Sequence, residues 1–190
     1  HALTGSAHAA GVNKYENFPE DTALDRSMWT KECEIGWWDA FIGPDKIFDT
    51  NQYFVICANY LGGCYGSTGP ASINPETGKP FGSRFPDVTV HDITRSQVRL
   101  LDHLGIDSLL AVAGGSMGGM ISIDMAHQFP ERVRSVIMLA SGANSSALTK
   151  VLNFEQLYAL QEDANFQRGD YYESERPYQG LVLARMIGHK

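Results

Sequence analysis

Leu109-Leu110-Ala111-Val112-Ala113-Gly114-Gly115-Ser116-Met117-Gly118-Gly119 is the stretch on which the reading of this chain turns. An apolar run of strand length leads straight into Gly114-Gly115-Ser116-Met117-Gly118, a G-x-S-x-G pattern, and a helix-like segment follows. Strand, sharp turn and helix together form the context in which that pattern makes a nucleophile elbow. The turn forces its central residue into strained backbone geometry and lifts the Ser116 hydroxyl clear of the sheet. Glycines two residues to either side are needed because strand and helix approach too closely there for a Cβ. The helix N-terminus then directs backbone N–H groups at any negative charge that forms beside the serine.

Working outward, residues 92–104 read as a helix, with Ile93, Leu100 and Leu104 on one stripe, Leu101 widening it and Gly105 as the stop. Residues 109–113 form the strand under the elbow and 117–129 the helix above it, ended by Pro130. A second apolar strand spans 133–140, and an earlier one 51–59, where Phe54, Val55, Ile56 and Cys57 are apolar on both faces, as in a buried parallel strand. Residues 152–161 and 177–187 read as helices, the latter with Pro177 in its first turn. Residues 61–86 are too rich in glycine and proline for regular structure. Residues 1–50, with Gly5, Gly11, Asn13, Asn17, Pro19, Gly36, Gly43 and Pro44, read as a long surface excursion with short helical turns. Strands alternating with helices give an α/β fold around a parallel sheet covered on both faces.

Composition narrows the function classes. A hydrophobic share of 43% and a charged share of 19% describe a globular chain. The net charge of −7, with no basic stripe, argues against nucleic acid or an anionic membrane as partner. No apolar run approaches the roughly 20 residues of a membrane span, and no signal peptide is visible. Cys33, Cys57 and Cys64 stand at spacings that fit neither a disulfide framework nor a metal site, so no metal is expected and Cys57 reads as core. Cytoplasm is the default compartment.

A serine hydroxyl needs a base to take its proton and an acid to orient that base, in this fold in the chain order serine, acid, histidine. Downstream of Ser116 stand only His127 and His189. His127 lies about 16 Å along the elbow helix and cannot reach. His189 reads as a helix-end histidine, and Asp163 and Asp170 are unconvincing as the acid. The chain thus carries a nucleophile without its base. An oxyanion hole needs the N–H of Met117, the residue after the serine, and a second from an earlier loop leaving a strand. His1-Ala2-Leu3-Thr4-Gly5 is a candidate remnant of that loop.

Several stretches together are more specific than the elbow. His1-Ala2-Leu3-Thr4-Gly5, Gly36-Trp37-Trp38-Asp39, Ile42-Gly43-Pro44, and Leu61-Gly62-Gly63-Cys64-Tyr65-Gly66-Ser67-Thr68-Gly69-Pro70 with Ser72-Ile73-Asn74-Pro75 resemble the homoserine O-acetyltransferase family. Gly114-Gly115-Ser116-Met117-Gly118-Gly119, Gly169-Asp170-Tyr171-Tyr172 and Ala184-Arg185-Met186-Ile187-Gly188-His189 continue the pattern in the same order.

The resemblance implies an α/β-hydrolase core over 1–140 and the start of a helical lid over 141–190. It implies Ser116 as nucleophile, the Leu3 and Met117 amides as oxyanion donors, and Arg185 as the clamp for a substrate carboxylate. Without the family, Arg185 would read as a solvated helix arginine, and the 62–70 loop, implied to line the entrance, as a plain turn-rich loop. The implied reaction is ping-pong transfer of an acetyl group from acetyl-CoA to the hydroxyl of L-homoserine, a step toward methionine, with no bound cofactor and a homodimeric full-length protein. Alternatives are a succinyl donor, a serine acceptor, a carboxylic-ester hydrolase, or a non-catalytic binding module. The family's earlier strands and its later aspartate and histidine are missing from these 190 residues, so the chain is expected to be an internal fragment and inactive by itself.

Overall fold

In the computed structural model, residues 1–14, 16 and 29–189 are described. Asn17 and Pro19, read above as turn formers, lie outside them. The chain divides into two compact units, His1–Thr68 with Asp87–Gly142, and Gly69–Pro86 with Ala143–Lys190.

The first unit holds the elbow. Its early part is irregular, with a 3₁₀ turn at Lys31–Cys33 and a two-residue parallel pairing of β1 (Ile42–Gly43) with β2 (Phe48–Asp49). Helix α1 (Val90–His103) begins at a capping box: Thr89 Oγ1 accepts from the Asp92 N–H at 3.2 Å, and Asp92 Oδ2 accepts from the Thr89 N–H at 2.9 Å. Its buried face is Ile93, Thr94, Val98 and Leu101. The expected stripe is not the buried one: Leu100 and Leu104 are exposed, Leu100 lying about 100° around the helix from buried Leu101 and Leu104 standing at the C-cap. Gly105, at φ +69°, ends the helix as expected.

Strand β3 (Val112–Gly115) pairs in parallel with β4 (Val136–Leu139), Val112 opposite Val136 and Gly115 opposite Leu139, with a further parallel bridge from Leu109 to Val133. Helix α2 (Met117–Gln128) connects them. Tyr60, Ile93 and Ile121 form the core under α1 and α2, with Val88, Val90 and Met117 packed against it. Beside that core, the Asp124 carboxylate is buried, 2.6 Å from His91 Nδ1 and accepting from Gln128 Nε2 at 2.6 Å, which ties α1 to α2. Arg132 adds a second tie, donating to Asp102 Oδ1 at 2.9 Å and to the Ile106 carbonyl at 2.7 Å.

The expected strand over 51–59 does not form. Pairing is what defines a strand, and no described segment runs a hydrogen-bonded ladder alongside it. Its apolar side chains Tyr53, Phe54 and Val55 are correspondingly exposed. Cys57 is half-buried, and burial pushes its thiol pKa up.

The second unit is helical. Helix α3 (Ala147–Gln161) starts earlier than expected because Ser146 caps it, its Oγ accepting from the Thr149 N–H at 3.1 Å. Helix α4 (Tyr178–Gly188) packs against it through Ala159, Ala184 and Ile187. Pro177 occupies the N-cap rather than the first turn, with ψ 65°. A Cβ on Gly180 would fall 2.6 Å from the Ala159 carbonyl oxygen, so only glycine permits this approach of the two helices.

Candidate functional site

Ser116 stands between β3 and α2 at φ 54°, ψ −121°, a conformation that costs a non-glycine residue of the order of 1–3 kcal/mol. Its backbone is fixed on both sides. The Ser116 N–H donates to the Leu139 carbonyl at 3.0 Å, and its carbonyl accepts from the Ser141 hydroxyl at 2.7 Å and the Gly119 N–H at 3.0 Å. The neighbouring glycines are compulsory. A Cβ on Gly114 would lie 2.2 Å from the Gly118 carbonyl group, and one on Gly119 2.5 Å from Ser141 Cβ. The result is an exposed serine at the head of a helix.

Two donors face no protein acceptor there: among the described residues, neither the Met117 nor the Gly118 N–H has a hydrogen-bond partner. They are the orphan amides that every helix start leaves, at the positive end of the helix dipole. An anion forming beside Ser116 would meet them first.

Residues 1–5 reach the same place. A Cβ on Gly118 would lie 2.9 Å from the His1 carbonyl oxygen, so the first turn of α2 is in van der Waals contact with the backbone of His1. The segment then folds into a turn closed by the Gly5 N–H on the Ala2 carbonyl at 2.9 Å. Leu3, inside that turn, has an exposed side chain and an N–H without a partner among the described residues. The structure thus sets His1, two residues before Leu3, against the first turn of α2, with Ser116, Met117 and Leu3 all in the first unit. Arg185 belongs to the second, on the exposed side of α4, where its Nη2 lies 3.1 Å from His189 Nε2.

The histidines and acids are otherwise engaged. The His1 ring packs on Tyr60 with centroids 3.7 Å apart, and its Nδ1 lies 2.9 Å from the Ala2 carbonyl. His8 Nε2 is bound to the Glu34 carbonyl at 2.9 Å, and His127 is exposed near the far end of α2. No described histidine hydrogen-bonds Ser116. Asp163 is structural: it accepts from the Gly180 N–H at 2.7 Å and the Asn165 N–H at 2.8 Å, which hold its carboxyl below the ordinary range. Asp170 is paired with Arg84 at 3.3 Å. Among the described residues no group of histidine, cysteine or acidic side chains could hold a metal, and no helix is long and apolar enough to cross a membrane.

Three residues have roles that the sequence reading did not assign. Ser141 fixes the elbow carbonyl. Trp37 donates its indole N–H to the Ser6 carbonyl at 2.9 Å, and Asn59 accepts from the Ala7 N–H at 2.7 Å. Only Asn59 left a trace, as a polar residue closing an apolar run before a glycine pair.

Comparison with known proteins agrees with this geometry. A family model described as the alpha/beta hydrolase fold matches residues 33–190. The whole chain is 49% identical to a homoserine O-acetyltransferase of Deferribacter desulfuricans, of which it covers 46%. It superposes over its full length on 48% of the homoserine O-acetyltransferase from Bacillus anthracis, with TM-score 0.85 and 36% identity. The crystal structure of esterase E22 matches 98% of this chain and 48% of its own, with TM-score 0.84 and 36% identity. The chain therefore spans about half the length of these relatives.

Proposed function

Because the chain belongs to the α/β-hydrolase fold family, we propose that its full-length protein moves an acetyl group from acetyl-CoA to the hydroxyl of L-homoserine, with Ser116 as the nucleophile. One observation carries the reading: an exposed serine, strained into φ 54°, at the head of a helix whose first N–H groups, Met117 and Gly118, have no partner among the described residues. Similarity to homoserine O-acetyltransferases supplies the donor and the acceptor.

In the first half-reaction Ser116 Oγ attacks the thioester carbonyl, the Oγ–C bond forms and the C–S bond breaks. CoA leaves as the thiol, taking the proton that the serine gave up. The carbonyl oxygen carries negative charge on the way, and the Met117 and Leu3 amides are assigned to stabilise it. In the second half-reaction the homoserine hydroxyl attacks the acetyl-serine, its proton returns to Ser116, and O-acetylhomoserine departs. Arg185 is assigned the homoserine carboxylate, since a planar guanidinium meets a carboxylate with two parallel hydrogen bonds. The base that shuttles the proton is assigned to a part of the full-length protein beyond these residues. The helices of the second unit are read as the start of a lid, and the protein as a cytoplasmic homodimer.

The test is covalent capture. Intact-mass measurement of the full-length protein after acetyl-CoA treatment should show an acetyl adduct that Ser116→Ala abolishes without unfolding the protein. An adduct that survives in the variant places the nucleophile elsewhere. The similarity to esterase E22 favours a second reading, a carboxylic-ester hydrolase using the same serine. Rapid loss of the adduct to water, unaccelerated by homoserine, would select it.

A further inference from the structure

Among the described residues Asn59 makes no hydrogen bond to Ser116 or α2, yet its side-chain amide joins two irregular segments of the first unit. Oδ1 accepts from the Ala7 N–H at 2.7 Å, and Nδ2 donates to the Tyr65 carbonyl in the glycine-rich 61–70 loop. Residues 1–5 belong to no helix or sheet, so nothing periodic fixes them. At one end His1 lies against Gly118. At the other, two bonds hold the single peptide group between Ser6 and Ala7: the Trp37 indole on its carbonyl at 2.9 Å and Asn59 on its N–H. Leu3 lies between these anchors.

We propose that Asn59 is a positioning residue: by fixing Ala7 to Tyr65 it holds the 1–5 turn so that the Leu3 N–H is already aimed at the oxygen of the acyl group on Ser116. This rests on the reading of Ser116 as the acylated nucleophile. An oxyanion donor is effective because it is in place before charge develops, and a misplacement of about 1 Å can cost on the order of 100-fold in rate. The residue type fits the task. One planar amide offers an acceptor to Ala7 and a donor to Tyr65 at once, whereas aspartate keeps only the acceptor and alanine neither.

The experiment uses p-nitrophenyl acetate and acetyl-CoA as alternative acyl donors to the full-length protein, followed by rapid-mixing kinetics. Burst amplitude counts competent sites, and the burst rate constant reports stabilisation of the transition state. Asn59→Ala should lower the rate constant for both donors by about 10- to 100-fold, with KM little changed and amplitude retained below the melting transition. Asn59→Asp keeps the acceptor to Ala7 but has no donor for Tyr65, so it should lower the rate constant likewise, and it also serves if the alanine variant does not fold.

An unchanged rate constant with reduced amplitude would make Asn59 merely structural and overturn the proposal. So would a rise in KM confined to acetyl-CoA, which would put its role in donor binding, or a wild-type rate constant in the aspartate variant, which would show that the bond to Tyr65 holds nothing in place. Failure of the underlying reading looks different: wild-type protein would then give no Ser116-dependent burst with either donor.

Discussion

At Ser116 the fold keeps a residue in a conformation that glycine would occupy at little cost. The strain is held by the Leu139, Ser141 and Gly119 hydrogen bonds around it and by glycines at 114, 118 and 119 that leave no room for a Cβ. Stability and chemistry therefore pull in opposite directions at this position. Ser116→Gly should raise unfolding stability by about 1 kcal/mol, the relief of φ 54° less the greater chain entropy of glycine, while eliminating acylation. Ser116→Ala should eliminate acylation without that gain. Equilibrium denaturation of the two variants side by side checks it, and equal stabilities would mean that the elbow is unstrained.

Among the elements, α3 and α4, packed through Ala159, Ala184 and Ile187, are also tied by one carboxylate. Asp163 receives the Gly180 and Asn165 N–H groups, and these bonds depress its folded pKa. A depressed acid contributes stability that is complete above its unfolded pKa and is lost as pH falls through the folded value. Asp163→Asn should thus melt below wild type at pH 7, and the gap should close as pH falls beneath about 4. A gap that stays constant with pH would show that the loss does not come from the carboxylate's charge. The α2 and β4 elements were legible in sequence because their apolar runs end at Gly and Pro signals and their partners lie close along the chain. Residues 51–59 were not, since an apolar run records a wish for burial and says nothing about which strand will pair with it. The same limit hid Asn59 and Trp37: their bonds to Ala7 and Ser6 join residues far apart in sequence, and no local periodicity encodes them.

At the scale of the molecule, the proposed nucleophile Ser116 belongs to the first unit and the proposed clamp Arg185 to the second. In the proposed ping-pong reaction the two half-reactions separate their roles. Arg185→Ala should lower kcat/KM for homoserine by about 30- to 1,000-fold, the loss of a charge-assisted bidentate pair, and leave the CoA burst nearly intact. Arg185→Lys should recover little, because an ammonium cannot reproduce the fork. A lost burst with an intact homoserine response would move Arg185 to the donor site. The units are also interleaved along the chain, since Gly69–Pro86 belongs with Ala143–Lys190 and is separated from it by residues of the other unit. A ribosome delivers these pieces in order, at about 5–20 residues per second. The 69–86 segment, whose Gly82 turn is shaped to receive Asp170, must therefore wait several seconds for its counterpart, exposed to proteases and chaperones while the elbow half of the chain is already free to fold.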